Sequence, residues 1–164
     1  MKKHLNQLTA SLKEIFSWHK SRVECFSNLL VSLISRQTVN LAHLATHFPS
    51  KAQIGSNYRR IQGFFKEVEF NYHDVAQWNI DQLLSHKEKV YLVLDRTNWK
   101  FGKTEINILM LSAVYEGIAI PLYWVTLPHK GNSASQLRIQ LMKRFIHQFG
   151  HNRIAAVLLE LRTF

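Results

Sequence analysis

Cysteine is nearly absent from this chain of 164 residues. Cys25 is its one thiol, and it lies on the apolar side of a helical pattern. A single thiol cannot form an intramolecular disulfide, which fits a reducing compartment, so we expect a cytoplasmic protein. The commonest role for such a cysteine is that of a small buried hydrophobic residue rather than a nucleophile.

Acidic residues are also scarce. There are 11 Asp and Glu against 21 Lys and Arg, which gives a formal net charge of +10. Residues 1–66 hold ten basic and two acidic residues, residues 67–88 hold one and five, and residues 89–164 hold ten and four. Two basic blocks therefore flank a short acidic segment. This pattern favours polyanionic partners, because each contact with a phosphate releases counterions.

The sequence has no long uninterrupted apolar run. The most apolar stretch, residues 106–127, contains Glu116 and Gly117 near its middle. A membrane-spanning helix would place Glu116 near the bilayer midplane, at a cost of roughly 2–4 kcal/mol. A strand hairpin that turns at Glu116-Gly117 avoids this cost. No apolar segment follows the basic residues 1–4 either, so we expect neither a signal peptide nor a membrane partner.

The first half of the sequence has helical periodicity. Apolar residues recur at i, i+3, i+4 and i+7 in two stretches, formed by Leu5, Leu8, Leu12, Ile15 and Phe16 and by Val23, Phe26, Leu30, Leu33 and Ile34. Thr38 is the predicted cap of a short third helix that ends at Pro49, and Ser56 or Asn57 the predicted cap of a fourth. Four short helices connected by short turns are typical of helix-turn-helix proteins, although helical bundles with many functions share this arrangement.

The predicted fourth helix has a basic face. Arg59, Gln62 and Lys66 lie opposite its apolar stripe, and Arg60 is adjacent to them. One interpretation is an ordinary solvated helix face. The other is a surface that contacts phosphates or lies in a groove of a nucleic acid, since guanidinium groups bind phosphate oxygens in a bidentate manner.

The periodicity changes after residue 87. Residues 90–94 form an apolar run that predicts a strand buried on both faces and ending at Asp95. Residues 106–115 and 118–127 predict a hairpin, a helix ends at Gly150, and residues 154–159 predict a last strand. The expected fold is therefore α+β, with a helical domain at residues 1–86 followed by an α/β domain at residues 87–164.

A carboxylate at the end of a buried strand has two interpretations. Asp95 could cap a turn, which is the more common role of such a residue. It could also bind a divalent cation, which prefers oxygen ligands. Two-metal phosphoryl transfer would need at least a second carboxylate nearby.

Residues 95–102, Asp-Arg-Thr-Asn-Trp-Lys-Phe-Gly, resemble the first catalytic motif of DDE transposases from bacterial insertion sequences of the insertion sequence 4 group. The resemblance continues through residues 106–111, 120–122 and 131–133, and extends back to residues 57–62 and 64–65. It implies a ribonuclease-H-like core in which three carboxylates bind Mg²⁺ or Mn²⁺ for cleavage and transfer of DNA strands. Asp95 matches the first of these carboxylates and is the predicted metal ligand.

The resemblance also implies a partner, double-stranded DNA at the ends of the transposon. The candidate DNA-binding residues are Arg59, Arg60, Lys66, Arg96, Trp99 and Lys100. Trp99 is flanked by basic residues and could stack on a base. Because the complete enzymes work as protein–DNA assemblies, the chain could also form a homo-oligomer.

The sequence departs from the family at the second carboxylate, which lies in an Ala-Asp-Arg-Glu-Phe stretch after the fourth strand. Alignment on Arg162 and Phe164 puts Leu161 at the position of the aspartate and Glu160 one residue early. A one-residue offset on a strand points a side chain to the other face, so Glu160 is a poor substitute unless the strand bends. The third carboxylate, a glutamate on a later helix, has no counterpart.

Three functional hypotheses follow. The first is a truncated transposase-family protein that binds element ends but is inactive in cleavage by itself. The second is a non-catalytic DNA-binding regulator that occupies the same ends and inhibits transposition. The third is an unrelated helical adaptor, for which the basic helix face would have no role in DNA binding.

Overall fold

The computed structural model describes residues 2–84, 88–127 and 135–159. These residues form an α+β fold, as expected, with six α-helices, a 3-10 turn and four strands. The helices are α1 (Lys2–Ile15), α2 (Lys20–Arg36), α3 (Leu41–Thr46), α4 (Ile54–Glu67), α5 (Tyr72–Leu84) and α6 (Ser135–Phe149). The strands are β1 (Val90–Phe101), β2 (Thr104–Tyr115), β3 (Ile118–Leu127) and β4 (Ile154–Leu159), and the 3-10 turn is His151–Arg153. No described helix has the length and the apolar character needed to cross a membrane.

The chain divides into two compact units, a helical unit (Met1–Asn71) and a sheet unit (Tyr72–Phe164). This division falls before α5, whereas the sequence-based boundary at residue 86 falls after it. The physical reason is that α5, a helix that the periodicity did not predict, buries Ala76, Ile80 and Leu83 in the core of the sheet unit. In the sequence, the acidic residues 67–88 around α5 indicated only a short segment between two basic blocks.

The helical unit is built around packed aromatic rings. Phe16 stacks on Trp18 with a centroid distance of 4.0 Å, and Phe26 stacks on Phe64 at 5.5 Å. Phe70 meets these rings edge-on. Aromatic pairs in such offset and edge-to-face arrangements add about 0.5–1.5 kcal/mol each beyond the burial of their area.

The caps of α3 and α4 differ from the predicted ones. Asn40, not Thr38, caps α3, since its side-chain oxygen accepts hydrogen bonds from the backbone N–H groups of Ala42 (3.0 Å) and His43 (3.3 Å). α4 begins at Ile54, and neither Ser56 nor Asn57 is its cap. Asn57 is buried instead, and its side chain accepts a hydrogen bond from Ser50 at 2.7 Å and donates to the carbonyl oxygens of Ala45 and Ala52. These bonds hold the turn between α3 and α4.

The sheet has the strand order β3-β2-β1-β4. β1, β2 and β3 form an antiparallel meander, and β4 lies parallel to β1 on its other side. The predicted hairpin turn at Glu116-Gly117 is confirmed, with φ values of 49° and 81°. Positive φ at both central residues is the signature of a type I′ turn. The predicted last strand and the helix end at Gly150, whose φ is 84°, are confirmed as well.

One face of the sheet carries the core of the unit. Apolar residues of β1, β2 and β3 on this face pack with α5 and with Leu141 and Phe145 of α6. The prediction that residues 90–94 are buried on both faces is wrong, because Tyr91 on the opposite face is 53% exposed. The predicted end of this strand at Asp95 is also wrong, since β1 continues to Phe101.

A hydrogen-bond network connects α5, α6 and β3. The Gln148 side chain donates to the carbonyl oxygen of His73 (3.0 Å) and to the Gln77 side chain (3.2 Å), and the Tyr123 hydroxyl donates to Gln148. Tyr123 is only 1% exposed, and this burial raises the pKa of its hydroxyl to about 12. The network satisfies the hydroxyl of the buried Tyr123 where the two helices meet the sheet.

Candidate nucleic-acid interface and carboxylate site

The basic face of α4 is open to solvent. Ser56, Arg59, Gln62 and Lys66 are all exposed. Arg59, Gln62 and Lys66 make no hydrogen bond or ion pair with the described residues. At 100° per residue, these three positions lie within a narrow arc of the helix. The face therefore presents two cations and an amide that no described protein group engages.

Arg60 has a different environment from Arg59. Its guanidinium donates a hydrogen bond to the carbonyl oxygen of Ser21 at 3.0 Å, near the start of α2. The thiol of Cys25 donates to the Arg60 carbonyl oxygen at 3.8 Å. Burial raises the pKa of Cys25, and the charge of Arg60 partly opposes this rise. Arg60 thus joins α4 to α2, a role that its sequence position next to Arg59 did not reveal.

Asp95 lies within β1 rather than at its end. It pairs with Met110 of β2, and its half-buried carboxylate accepts a hydrogen bond from the backbone N–H of Arg96 at 2.6 Å. The parallel pairing of β1 with β4 reaches Leu94, which is opposite Leu159. Asp95 is therefore the first residue of β1 beyond the described pairing with β4.

The second candidate carboxylate, Glu160, lies outside the described residues. It follows Leu159 in the chain, just as Asp95 follows Leu94, and Leu94 and Leu159 are register partners. Among residues 2–84, 88–127 and 135–159, no three His, Cys, Asp or Glu side chains are grouped so that they could hold a metal ion. Of the two predicted carboxylates, only Asp95 lies within these described residues, and Mg²⁺ or Mn²⁺ requires further oxygen ligands. The described residues alone do not form a site that fits the ion.

The remaining candidates lie on the hairpin of β1 and β2. Arg96 is half-buried, whereas Lys100 is exposed and opposite Glu105 in the register. The backbone of Trp99 pairs with Ile106, and its side chain is outside the described part of the structure. Lys103 lies in the exposed turn of the hairpin.

Comparison of this chain with protein-family models, with curated proteins and with solved structures gives no match. The interpretation of the site therefore depends on its own residues and geometry.

Proposed function

We propose that this chain is a transposase-family protein that binds double-stranded DNA at the ends of an insertion sequence. Its helical unit contacts the DNA through the α4 face formed by Ser56, Arg59, Gln62 and Lys66. The observation that carries the proposal is the exposure of Arg59 and Lys66, which have no counterion among the described residues. A pair of uncompensated cations on one rigid face is suited to two phosphates.

The position of α4 supports this role. The preceding turn is held by the buried Asn57 and its hydrogen bonds, and Arg60 ties the helix to α2. Rigid support of this kind keeps contact residues in place before binding. The major groove of DNA, about 12 Å wide, admits an α-helix. Gln62 would then face base edges, and Arg59 and Lys66 would contact phosphates.

The sheet unit supports the family assignment at the level of topology. Three antiparallel strands, a helix and a fourth strand parallel to the first occur in this order in a ribonuclease-H-like sheet. Asp95 lies on β1 beside the carboxyl end of the described part of β4, where the family resemblance predicts the metal-binding carboxylates. A bound divalent ion would activate the attacking oxygen for cleavage of a phosphodiester.

The test is the salt dependence of binding to a pool of random duplex DNA. The logarithm of the association constant falls linearly with the logarithm of the salt concentration, and we expect the Arg59→Ala/Lys66→Ala variant to make this fall less steep by about 2, since two phosphate contacts are lost. A matched control is Lys3→Ala/Lys13→Ala, which removes the same charge from exposed positions of α1. Equal effects of the two variants would indicate a bulk charge effect and would contradict the proposed interface.

A non-catalytic regulator is the second candidate function. The feature that favours it is Leu161, which stands in the sequence where the family has an aspartate. Neither function predicts cleavage of duplex DNA by this chain alone, so the two differ in the effect of the chain on a complete transposase that acts at the same ends. Inhibition of transposition by the added chain, relieved by Arg59→Ala/Lys66→Ala, would favour the regulator. Nicking with Mg²⁺ or Mn²⁺ that Asp95→Asn abolishes would contradict both and would establish an enzyme.

A further inference from the structure

Gly63 is a glycine inside a helix. It lies within α4 (Ile54–Glu67), four residues before the end of the helix. Glycine is among the least favourable residues in a helix interior, because it loses the most conformational freedom on folding. The φ of Gly63 is not positive, so its backbone conformation is one that any residue adopts. The conformation of α4 therefore gives no reason for a glycine at this position.

The packing of the helical unit gives no reason either. Apart from adjacent residues and the backbone of its own helix, a Cβ atom built at Gly63 would meet no described atom within 4 Å. α4 is joined to α2 close to this position, since Arg60 donates to the Ser21 carbonyl oxygen at 3.0 Å and Glu67 pairs with Arg22 at 3.3 Å. α2 nevertheless leaves open space above Gly63, so an alanine would fit there without a clash.

Gly63 lies between the two exposed cations of the α4 face. Arg59 is four residues before it and Lys66 is three residues after it. At 1.5 Å and 100° per residue, these cations are about 6 Å and about 4.5 Å away along the helix axis and within about 60° of Gly63 around it. Neither cation has a hydrogen bond or an ion pair with a described residue. The missing side chain therefore leaves a gap in the helix surface between two cations that have no described counterion.

A gap of this kind suits the close approach of a DNA strand. An α-helix with its side chains is about 10–12 Å across, whereas its Cα atoms lie only about 2.3 Å from the axis. The major groove is about 12 Å wide, so a helix with side chains on every side nearly fills it. Where the side chain is absent, a sugar–phosphate strand at the wall of the groove can lie against the helix backbone. Cations before and after that point can then bind phosphates of the same strand.

We propose that Gly63 is the position at which the sugar–phosphate backbone of double-stranded DNA lies against α4. Arg59 and Lys66 bind phosphates on the two sides of this contact. The inference rests on the proposed function and deepens it, because it states how the DNA lies on the α4 face. A larger side chain at position 63 should stabilise the helix and weaken DNA binding. These opposite effects distinguish a contact with DNA from a role in the fold.

The experiment uses the full chain and the random duplex DNA pool. Gly63→Ala should raise the melting temperature by about 2–4 °C, since alanine favours the helix. The same variant should weaken binding about threefold, and Gly63→Leu about tenfold or more, since a larger side chain displaces the strand further. The matched control is Ala10→Leu, which enlarges an exposed side chain of α1 in the same unit. The control should change affinity by less than about twofold, because it lies outside the α4 face.

The outcomes separate this inference from the proposed function. If Gly63→Leu binds as tightly as the natural chain while Arg59→Ala/Lys66→Ala loses affinity, the close approach is overturned and the α4 interface stands. If Arg59→Ala/Lys66→Ala only matches its charge control, the proposed function fails and this inference fails with it. An equal loss of affinity with Ala10→Leu would also overturn the inference. A lower melting temperature of Gly63→Ala would overturn it as well, because the glycine would then serve the fold.

Discussion

The helical and sheet units of this protein bury their apolar residues in different ways. In the helical unit, aromatic rings from several helices and from residues that follow them enclose one another. In the sheet unit, α5 and α6 pack on one face of β1, β2 and β3, whereas Tyr91 on the other face and Val157, Leu158 and Leu159 of β4 are between 39% and 53% exposed. The described helices leave β4 uncovered on both faces, since Val157 and Leu159 pair with the core residues Leu92 and Leu94, and Leu158 pairs with Val93.

The comparison extends to the proposed DNA contacts. The helical unit offers a face of one helix, which is held by Arg60 and Asn57. In the sheet unit, the candidate contacts Arg96, Trp99 and Lys100 lie on β1, which pairs with β2 over most of its length. Two kinds of paired substitution test the difference between the units. One pair compares a buried residue with an exposed one, and the other compares a residue that holds α4 in place with one that is proposed to contact DNA.

The largest loss is expected for Phe64→Ala in the helical unit. Phe64 is 4% exposed and contacts the rings of Trp18, Phe26 and Phe70. Its truncation should lower the free energy of unfolding by about 3–5 kcal/mol, measured by urea titration. The control is Phe65→Ala, the same change at a side chain that is 53% exposed, for which less than about 1 kcal/mol is expected. Equal losses would contradict the enclosed aromatic core.

A loss of about 2–5 kcal/mol is expected for Leu111→Ala in the sheet unit. Leu111 is fully buried on the core face, whereas Leu158 on β4 is 52% exposed. Leu158→Ala should therefore cost less than about 1 kcal/mol in the same urea titration. If it costs as much as Leu111→Ala, β4 is covered in solution and the two units do not differ as described.

Arg60→Ala and Arg59→Ala should affect different properties. The first should mainly lower stability, and the second should mainly weaken DNA binding. Loss of the exposed hydrogen bond from Arg60 to Ser21 should destabilise the chain by about 0.5–1.5 kcal/mol. Arg59→Ala should change stability by less than about 0.5 kcal/mol and should weaken DNA binding. Thermal melting and gel shift on the same two proteins measure both quantities. A stability loss confined to Arg59→Ala would reverse the assigned roles.

Tyr123→Phe tests the hydrogen bond of the buried Tyr123 hydroxyl in the sheet unit. Loss of the hydroxyl should cost about 1 kcal/mol at neutral pH. Because burial raises the pKa of Tyr123 from 10.0 to about 12, its contribution is fully present below pH 10 and is lost as the pH rises towards 12. The variant should lack this part of the alkaline loss. Urea midpoints at neutral and alkaline pH measure it, and parallel pH curves for both proteins would contradict the expectation.

The smallest effect is an expected gain from Glu116→Asn. Glu116 has a φ of 49° in the type I′ turn, a conformation that asparagine tolerates better than glutamate. Stability should rise by about 0.5–1 kcal/mol, measured as an increase in melting temperature. Glu116→Gln removes the same charge without relieving the backbone, so it should have almost no effect. A gain with Gln as large as with Asn would point to charge rather than conformation.

Local patterns predicted the elements whose signals are contained in a few neighbouring residues. The turn at Glu116-Gly117, the helix end at Gly150 and the strand from Ile154 to Leu159 were all predictable in this way. The α+β class followed from the change in periodicity between the two halves. The transposase resemblance, the metal and the DNA contacts remain predictions that rest on particular residues and motifs.

The sequence by itself determined the helical or extended state of the segments with a clear apolar period, because that period is a local property of each element. Tertiary structure alone decided that β1 continues past Asp95, because pairing with β2 stabilises polar residues in a strand that their own pattern does not predict. It also decided that α5 belongs with the sheet and that Arg60, unlike Arg59, supports a neighbouring helix. Each of these outcomes depends on a partner distant in the sequence, and no local period identifies that partner.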